Sequence, residues 1–299
     1  MRNKYSSHLL ASIVLTLFIT PLTYALPVGV GSQVWSDEFN GTTLDSTKWA
    51  QLYPDGKWGD AFNSAAAISQ SNGTLNLKAY TDSKGKQHSA VLATNGLYMA
   101  KYGYFESRMK FNDAPGEWSA FWLQSPNNTG TIVGNTSVAG TELDVAEHRA
   151  VDGTGSDISG KINSALHWDG YSTNAKFSEN LTPSLTGVGN NGIWHTYGMR
   201  WSPTSYTFYV DDQPTWTSNT ALSDANEFLM LSTLVLNNSW AGNIPTGGYG
   251  SVSTSNVGVS VDYVRAFSLT AIPEPTGVSM LLAGLLVAGC KRDRRKTLR

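Results

Sequence analysis

The chain is 299 residues long, with 21 Lys and Arg against 23 Asp and Glu and a formal net charge of −2. That balance argues against a protein built to wrap a polyanion, and a hydrophobic content of 40% excludes wholesale disorder. A single cysteine, Cys290, excludes an internal disulfide and a thiolate metal cluster.

Met1-Arg2-Asn3-Lys4 gives a cationic start, Leu9 to Thr20 an apolar run, and Thr23-Tyr24-Ala25 small residues at positions −3 and −1 of a cleavage site. This is the pattern of a secretory signal peptide over residues 1–25, its apolar run too short to span a bilayer. Residues 26–271, roughly 245 in all, suit one all-β domain. Thr74-Leu75-Asn76-Leu77-Lys78-Ala79 alternates polar and apolar after the turn Ser71-Asn72-Gly73. Tyr206 to Val210, the turn Asp211-Asp212-Gln213 and Thr215-Trp216-Thr217 read as a hairpin. Val259 to Phe267 reads as a last strand, and only Leu222 to Phe228 shows helical spacing. Many short strands with frequent turns predict a β-sandwich or jelly roll.

The richest stretch is Thr141-Glu142-Leu143-Asp144-Val145-Ala146-Glu147-His148. On a strand, Glu142 and Asp144 share one face while Leu143 and Val145 enter the core. Parity puts Glu147 on the wrong face; a β-bulge near Val145-Ala146 returns it to the face of the other two acids. His148 then points the opposite way. Three acids crowded together cannot all ionise, so one keeps its proton near neutral pH. A carboxylate beside a carboxylic acid is what cleavage of a glycosidic bond requires. A solvated acidic face or a divalent-cation site would use the same residues, although Val151-Asp152-Gly153 is followed by only one nearby acid, Asp157, too few to build an EF-hand calcium loop.

At the far end, Ile272-Pro273-Glu274-Pro275 precedes an apolar segment from Val278 to Cys290 and the basic run Lys291, Arg292, Arg294, Arg295 and Lys296. Residues 272–299 resemble the PEP-CTERM sorting signal of Gram-negative bacteria, which implies export, processing by a membrane protease and a place at the cell surface or outside it. An ordinary membrane-anchoring tail with a short transmembrane helix is the alternative.

Between these ends the sequence resembles glycoside hydrolase family 16. Val34-Trp35-Ser36-Asp37-Glu38-Phe39-Asn40-Gly41 is similar to the family's opening strand, and Tyr102 to Lys110 to its substrate-side strand. Gly116-Glu117-Trp118-Ser119-Ala120-Phe121-Trp122-Leu123 is similar to G-x-W-P-A-F-W-L with Ser119 in place of Pro; Trp194 to Trp201 and Val261 to Arg265 are similar to later strands. The resemblance implies a curved jelly-roll β-sandwich of two antiparallel sheets with an open concave cleft. It implies that Glu142 is the nucleophile, Glu147 the general acid/base, and Asp144 the group that tunes the nucleophile. Trp118 and Trp122 share a strand face and would stack on sugars; Glu106 and Arg108 match positions that hydrogen-bond sugar hydroxyls. His167, on a neighbouring strand, would line the cleft beside the acids, and Trp58 its rim. Ser232 stands where many glucanases place Asn. No cofactor is expected for catalysis, while a structural calcium ion is implied at Asp262, with backbone carbonyls such as that of Glu38. The chain is expected to act as a monomer, without nucleic acid, on a polysaccharide. That polysaccharide would be β-1,3- or β-1,3-1,4-glucan; a galactan such as agar, porphyran or carrageenan, and a non-catalytic carbohydrate-binding role, are the alternatives.

Overall fold

The computed structural model describes residues 26–182 and 192–270. The signal-peptide and sorting-tail expectations lie outside the described residues. In chain order the strands are β1 (Val30–Asp37), β2 (Ala50–Gln51), β3 (Lys57–Trp58), β4 (Ala61–Asn63), β5 (Ile68–Ser71), β6 (Thr74–Lys78), β7 (Tyr80–Thr81), β8 (Gln87–Ala93) and β9 (Gly103–Asn112). They continue with β10 (Glu117–Gln124), β11 (Glu142–Arg149), β12 (Asn163–Trp168), β13 (Lys176–Leu181), β14 (Trp194–Ser202), β15 (Ser205–Val210), β16 (Gln213–Ser218), β17 (Phe228–Val235) and β18 (Gly258–Leu269). A four-residue helix, α1 (Thr136–Ala139), precedes β11, and a 3₁₀ turn covers Ala65–Ala67.

Two sheets result. One runs β16-β15-β14-β9-β18-β6-β5, with β1 also on β18; the other runs β13-β12-β11-β10-β17-β8-β4-β3, with β2 and β7 on β8. Every pairing is antiparallel except β4 with β8. The expected jelly-roll sandwich of mostly antiparallel sheets is what forms. Among the described residues no helix is long and apolar enough to cross a membrane.

Alternation explains the layers. In β6, Leu75 and Leu77 are fully buried while Thr74, Asn76 and Lys78 are part-exposed. The inward faces of both sheets meet in one core that includes Leu75, Phe105, Met109, Phe121, Leu143, Met199, Trp201 and Leu231. The hairpin of β15 and β16 turns at Asp211 and Asp212, whose φ values of 48° and 62° suit a two-residue turn that follows the strand twist. The expected helical segment at Leu222–Phe228 is instead irregular chain leading into β17. There the Ser223 hydroxyl accepts from Ala225 N and donates to Glu227, so side-chain bonds replace a helical ladder.

The second sheet carries an apolar layer on its outer face as well. Val91, Ala93, Ala120, Trp122, Phe228, Met230 and Leu234 pack together there, with Leu52, Trp58, Met99 and Trp118 against them. A strand face that faces away from the core yet stays this apolar is a surface prepared for a ligand.

Candidate active site

β11 starts from a fixed turn. Gly140 closes α1 with φ 79°, its N–H donating to Thr136 O at 2.8 Å. Thr141 is then tied down twice, its N–H to Glu227 Oε1 at 3.1 Å and its hydroxyl to Ala221 O at 2.7 Å. Along β11, Leu143 and Val145 enter the core while Glu142 and Glu147 are partly exposed.

The strand's register slips in the middle. Against β10, Ala146 pairs with Phe121 but Asp144 with Trp122, which leaves Val145 without an opposite residue. Against β12, three steps from Asp144 to Glu147 face two steps from Ala165 to Asn163. The carbonyl of Val145, which the slip turns out of the ladder, accepts from the Ser164 hydroxyl at 2.9 Å. Glu142, Asp144 and Glu147 consequently line one cavity of about 590 Å³, together with Trp58, Trp118, Trp122, Gln124 and Tyr171.

Each acid has its own surroundings. Glu142 Oε2 accepts from Gln124 Nε2 at 2.8 Å and from the Tyr171 hydroxyl. Glu147 Oε2 accepts from Asn163 Nδ2 at 3.1 Å. Asp144 lies between them, its Oδ2 3.4 Å from His167 Nε2 and without a hydrogen-bond partner among the described residues. Burial pushes all three carboxyls up; the charges of Glu142 and Glu147 add to the effect on Asp144, and that of Glu142 to the effect on Glu147. Burial also lowers the His167 pKa, so its imidazole favours the neutral form. Glu142, Asp144 and His167 each offer a ligand atom within 4.8 Å of the others, so the cation reading of the acidic stretch has a geometric basis. The cluster nonetheless opens into an aromatic cavity that accepts something far larger than an ion.

Trp122 is buried on the cavity floor, with Nε1 donating to Ser232 Oγ at 3.1 Å and Trp58 meeting it edge-on at 6.4 Å. Trp118 lines the same cavity and packs edge-on against Trp240 at 5.5 Å. His148 points away, as its parity requires: it is fully buried, bonded to Asp113 Oδ2 at 2.6 Å and Ser159 O at 2.8 Å. His167 pairs with Glu142 across the strands and touches the acids.

Glu106 and Arg108 are elsewhere. They lie on β9, between β14 and β18 in the opposite sheet, so they cannot face the cavity of the acids. Arg108 donates to Asp262 Oδ2 at 2.7 Å, and Glu106 is buried near Arg265. The same pairing bears on the calcium expectation. Calcium takes about six to eight oxygen ligands, whereas the Asp262 carboxylate holds a guanidinium and Glu38 makes a two-pronged ion pair with Arg265 at 2.8–3.0 Å. These pairs engage the Asp262 and Glu38 carboxylates; the Glu38 carbonyl that the resemblance implies as a ligand takes no part in them.

Sequence reasoning missed three partners of the acids. Gln124 follows Trp118 and Trp122 at even spacing on β10, so strand parity could have found it. Asn163 becomes visible only through the cross-strand register, and Tyr171 comes from a loop whose path no local pattern announces.

The family model described as β-porphyranase A–D, glycoside hydrolase family 16 domain, matches residues 30–269. The chain belongs to glycoside hydrolase family 16. Among curated relatives of this family 16 chain, glucan endo-1,3-β-glucosidase A1 of Niallia circulans is 27% identical over 266 residues, covering 78% of this chain and 37% of its own length. Keratan-sulfate endo-1,4-β-galactosidase of Sphingobacterium multivorum is 28% identical over 251 residues, covering 79% of this chain and 55% of its own. The family 16 chain thus spans about half or less of either relative. Porphyranase B of Zobellia galactanivorans superposes with a TM-score of 0.60 at 22% identity, over 79% of this chain and 91% of that one, which speaks for the fold.

Proposed function

We propose that this protein is an endo-acting, retaining glycoside hydrolase that cleaves a β-linked polysaccharide. The observation that carries the reading is the convergence of Glu142, Asp144 and Glu147 on one aromatic cavity at a slip in the strand register. Glu142 is the nucleophile: two donors hold its Oε2 and favour its ionised form, leaving Oε1 to attack the anomeric carbon. Glu147, raised by burial and by the Glu142 charge, delivers its proton to the leaving oxygen. Once Glu142 is esterified its charge is gone, the Glu147 pKa falls, and Glu147 takes a proton from the incoming water. Asp144, buried between the two, acts through its charge: the Glu142 and Glu147 charges raise its pKa, and its own protonation tunes the nucleophile. Trp58, Trp118 and Trp122 offer flat apolar faces to the C–H sides of pyranose rings.

The family resemblance to both a glucanase and galactan-cleaving enzymes keeps two polymers in play, β-1,3- or mixed-linkage glucan and an agar- or porphyran-type galactan. A reducing-sugar assay over both classes separates them. The deciding experiment for the chemistry pairs that assay with Glu142→Gln and Glu147→Gln. Each variant is expected to keep its fold and lose about 10²- to 10⁴-fold or more in rate; folded variants that cleave near the wild-type rate refute the assignment. Proton NMR of the first product from a β-linked substrate is expected to show the β anomer, and an α anomer would mean inversion. Export through the residues 1–25 signal, with processing at a PEP-CTERM-like tail, completes the proposal and places the enzyme at or beyond the cell surface.

A further inference from the structure

The concave face continues past the acids for two more strands. Glu142 pairs with His167 and His167 with Phe177; Asp144 pairs with Ala165 and Ala165 with Glu179. Directly opposed residues share a face of the sheet, so Phe177 and Glu179 of β13 project to the same side as the acids. Phe177 is 64% exposed. One ring face meets His167, with centroids 5.9 Å apart and planes 26° from parallel. Glu179 is held from the other side: Asn163 Nδ2 donates to Glu179 Oε2 at 3.2 Å and to Glu147 Oε2 at 3.1 Å, so one amide sets both carboxylates.

A flat apolar ring two residues from a carboxylate, about 7 Å along a strand, matches the two-sided character of a sugar, with its C–H face and its rim of hydroxyls. We propose that Phe177 and Glu179 form an outer subsite that binds a neutral sugar residue of the polysaccharide, its C–H face on Phe177 and a hydroxyl donating to Glu179. The inference rests on the hydrolase reading and names the class of sugar at this end of its cleft. The occupant follows from continuity, because His167 joins Phe177 to Glu142 and Asp144 in one uninterrupted face. Neutrality follows from charge. The ionisable groups facing this strip are Glu142, Asp144, Glu147, Glu179, His167, Tyr171 and Arg149, four carboxyls against one guanidinium. Arg149 is stacked on Trp240 at 3.8 Å and donates to its carbonyl, and Lys176, at the start of β13, is paired with Asp169. A sulfate or carboxylate on the sugar would meet acids with these cations already engaged.

The test measures binding by calorimetry to the full chain carrying Glu142→Gln, so that no probe is consumed. The probes are neutral hexasaccharides (β-1,3-gluco, mixed-linkage β-1,3-1,4-gluco and agaro) and a sulfated porphyran hexasaccharide. The expected result is that at least one neutral hexasaccharide binds, that adding Phe177→Ala weakens it about tenfold, and that Phe177→Trp restores it. Unchanged affinity in Phe177→Ala, no rescue by Trp, no binding of any neutral probe, or a Phe177 dependence confined to the sulfated probe would each overturn the proposal. Cleavage by the unmodified protein scores the hydrolase reading independently, so failure of the subsite leaves that reading standing.

Discussion

The proposed mechanism needs Glu142 and Glu147 in opposite protonation states at one pH, and their surroundings differ in the sense this requires. Burial raises both, Glu142 to about 7 and Glu147 to about 8, and Glu142 is restrained by donors from Tyr171 and Gln124. In that mechanism the active form has Glu142 ionised and Glu147 protonated. The rate therefore rises as pH climbs through the lower value and falls as it passes the higher, giving a narrow bell in kcat/KM whose limbs belong to the cluster and not to single residues. Asn163 donates to the ionised form of Glu147 and so lowers its pKa. Asn163→Ala is expected to move the alkaline limb upward, and a limb that stays or moves down would show that Glu147 is not the group behind it. The identities of the three acids were legible because strand parity is a local property. Of their donors only Gln124 lay within reach of the same parity; Tyr171 reaches Glu142 from 29 residues away along a loop.

At the scale of elements, the site depends on how β11 begins. Gly140 sits at φ 79°, and a Cβ there would lie 2.2 Å from Ser125 Cβ and 3.2 Å from Glu227 Oε1. Gly140→Ala is expected to cost about 1–3 kcal/mol through backbone strain and the clash together, read as a lowered midpoint in urea. Activity should fall beyond what unfolding explains, because Glu142 stands two residues downstream. A variant as stable and active as the wild type would show that the turn does not position the strand. The hairpin at Asp211-Asp212 and the strand at β6 could be read from turn residues and alternation. The Leu222–Phe228 segment could not, since its helical spacing competes with the local Ser223–Glu227 side-chain bond and with the Glu227 carboxylate's bond from the distant Thr141 N–H.

For the whole molecule, the misplacement of Glu106 and Arg108 marks the limit of such reading. Alternation tells which residues share a face, but which sheet a strand joins is settled by partners far along the chain, here β14 and β18 for β9. The Arg108–Asp262 pair on the opposite sheet is 39% exposed on each side, a setting in which an ion pair contributes about 0–1 kcal/mol. Arg108→Ala is accordingly expected to leave kcat and KM within about twofold, with thermal unfolding lowered by about 4 °C at most. A large rise in KM would put Arg108 back among the groups that meet the polysaccharide. Asp144 and Glu147 stand within β11 with backbone partners on both sides and Glu142 begins the strand, whereas Tyr53 and Tyr171, which also line the cavity, come from connections and Trp58 from a two-residue strand. Under the proposed function the acids are carried on one paired strand while part of the rim is carried on connections, with Tyr171 belonging to both through its bond to Glu142. A descendant could reshape the rim around Tyr53 and Trp58 without touching the strand of the acids, whereas a change at Tyr171 would reach Glu142 itself.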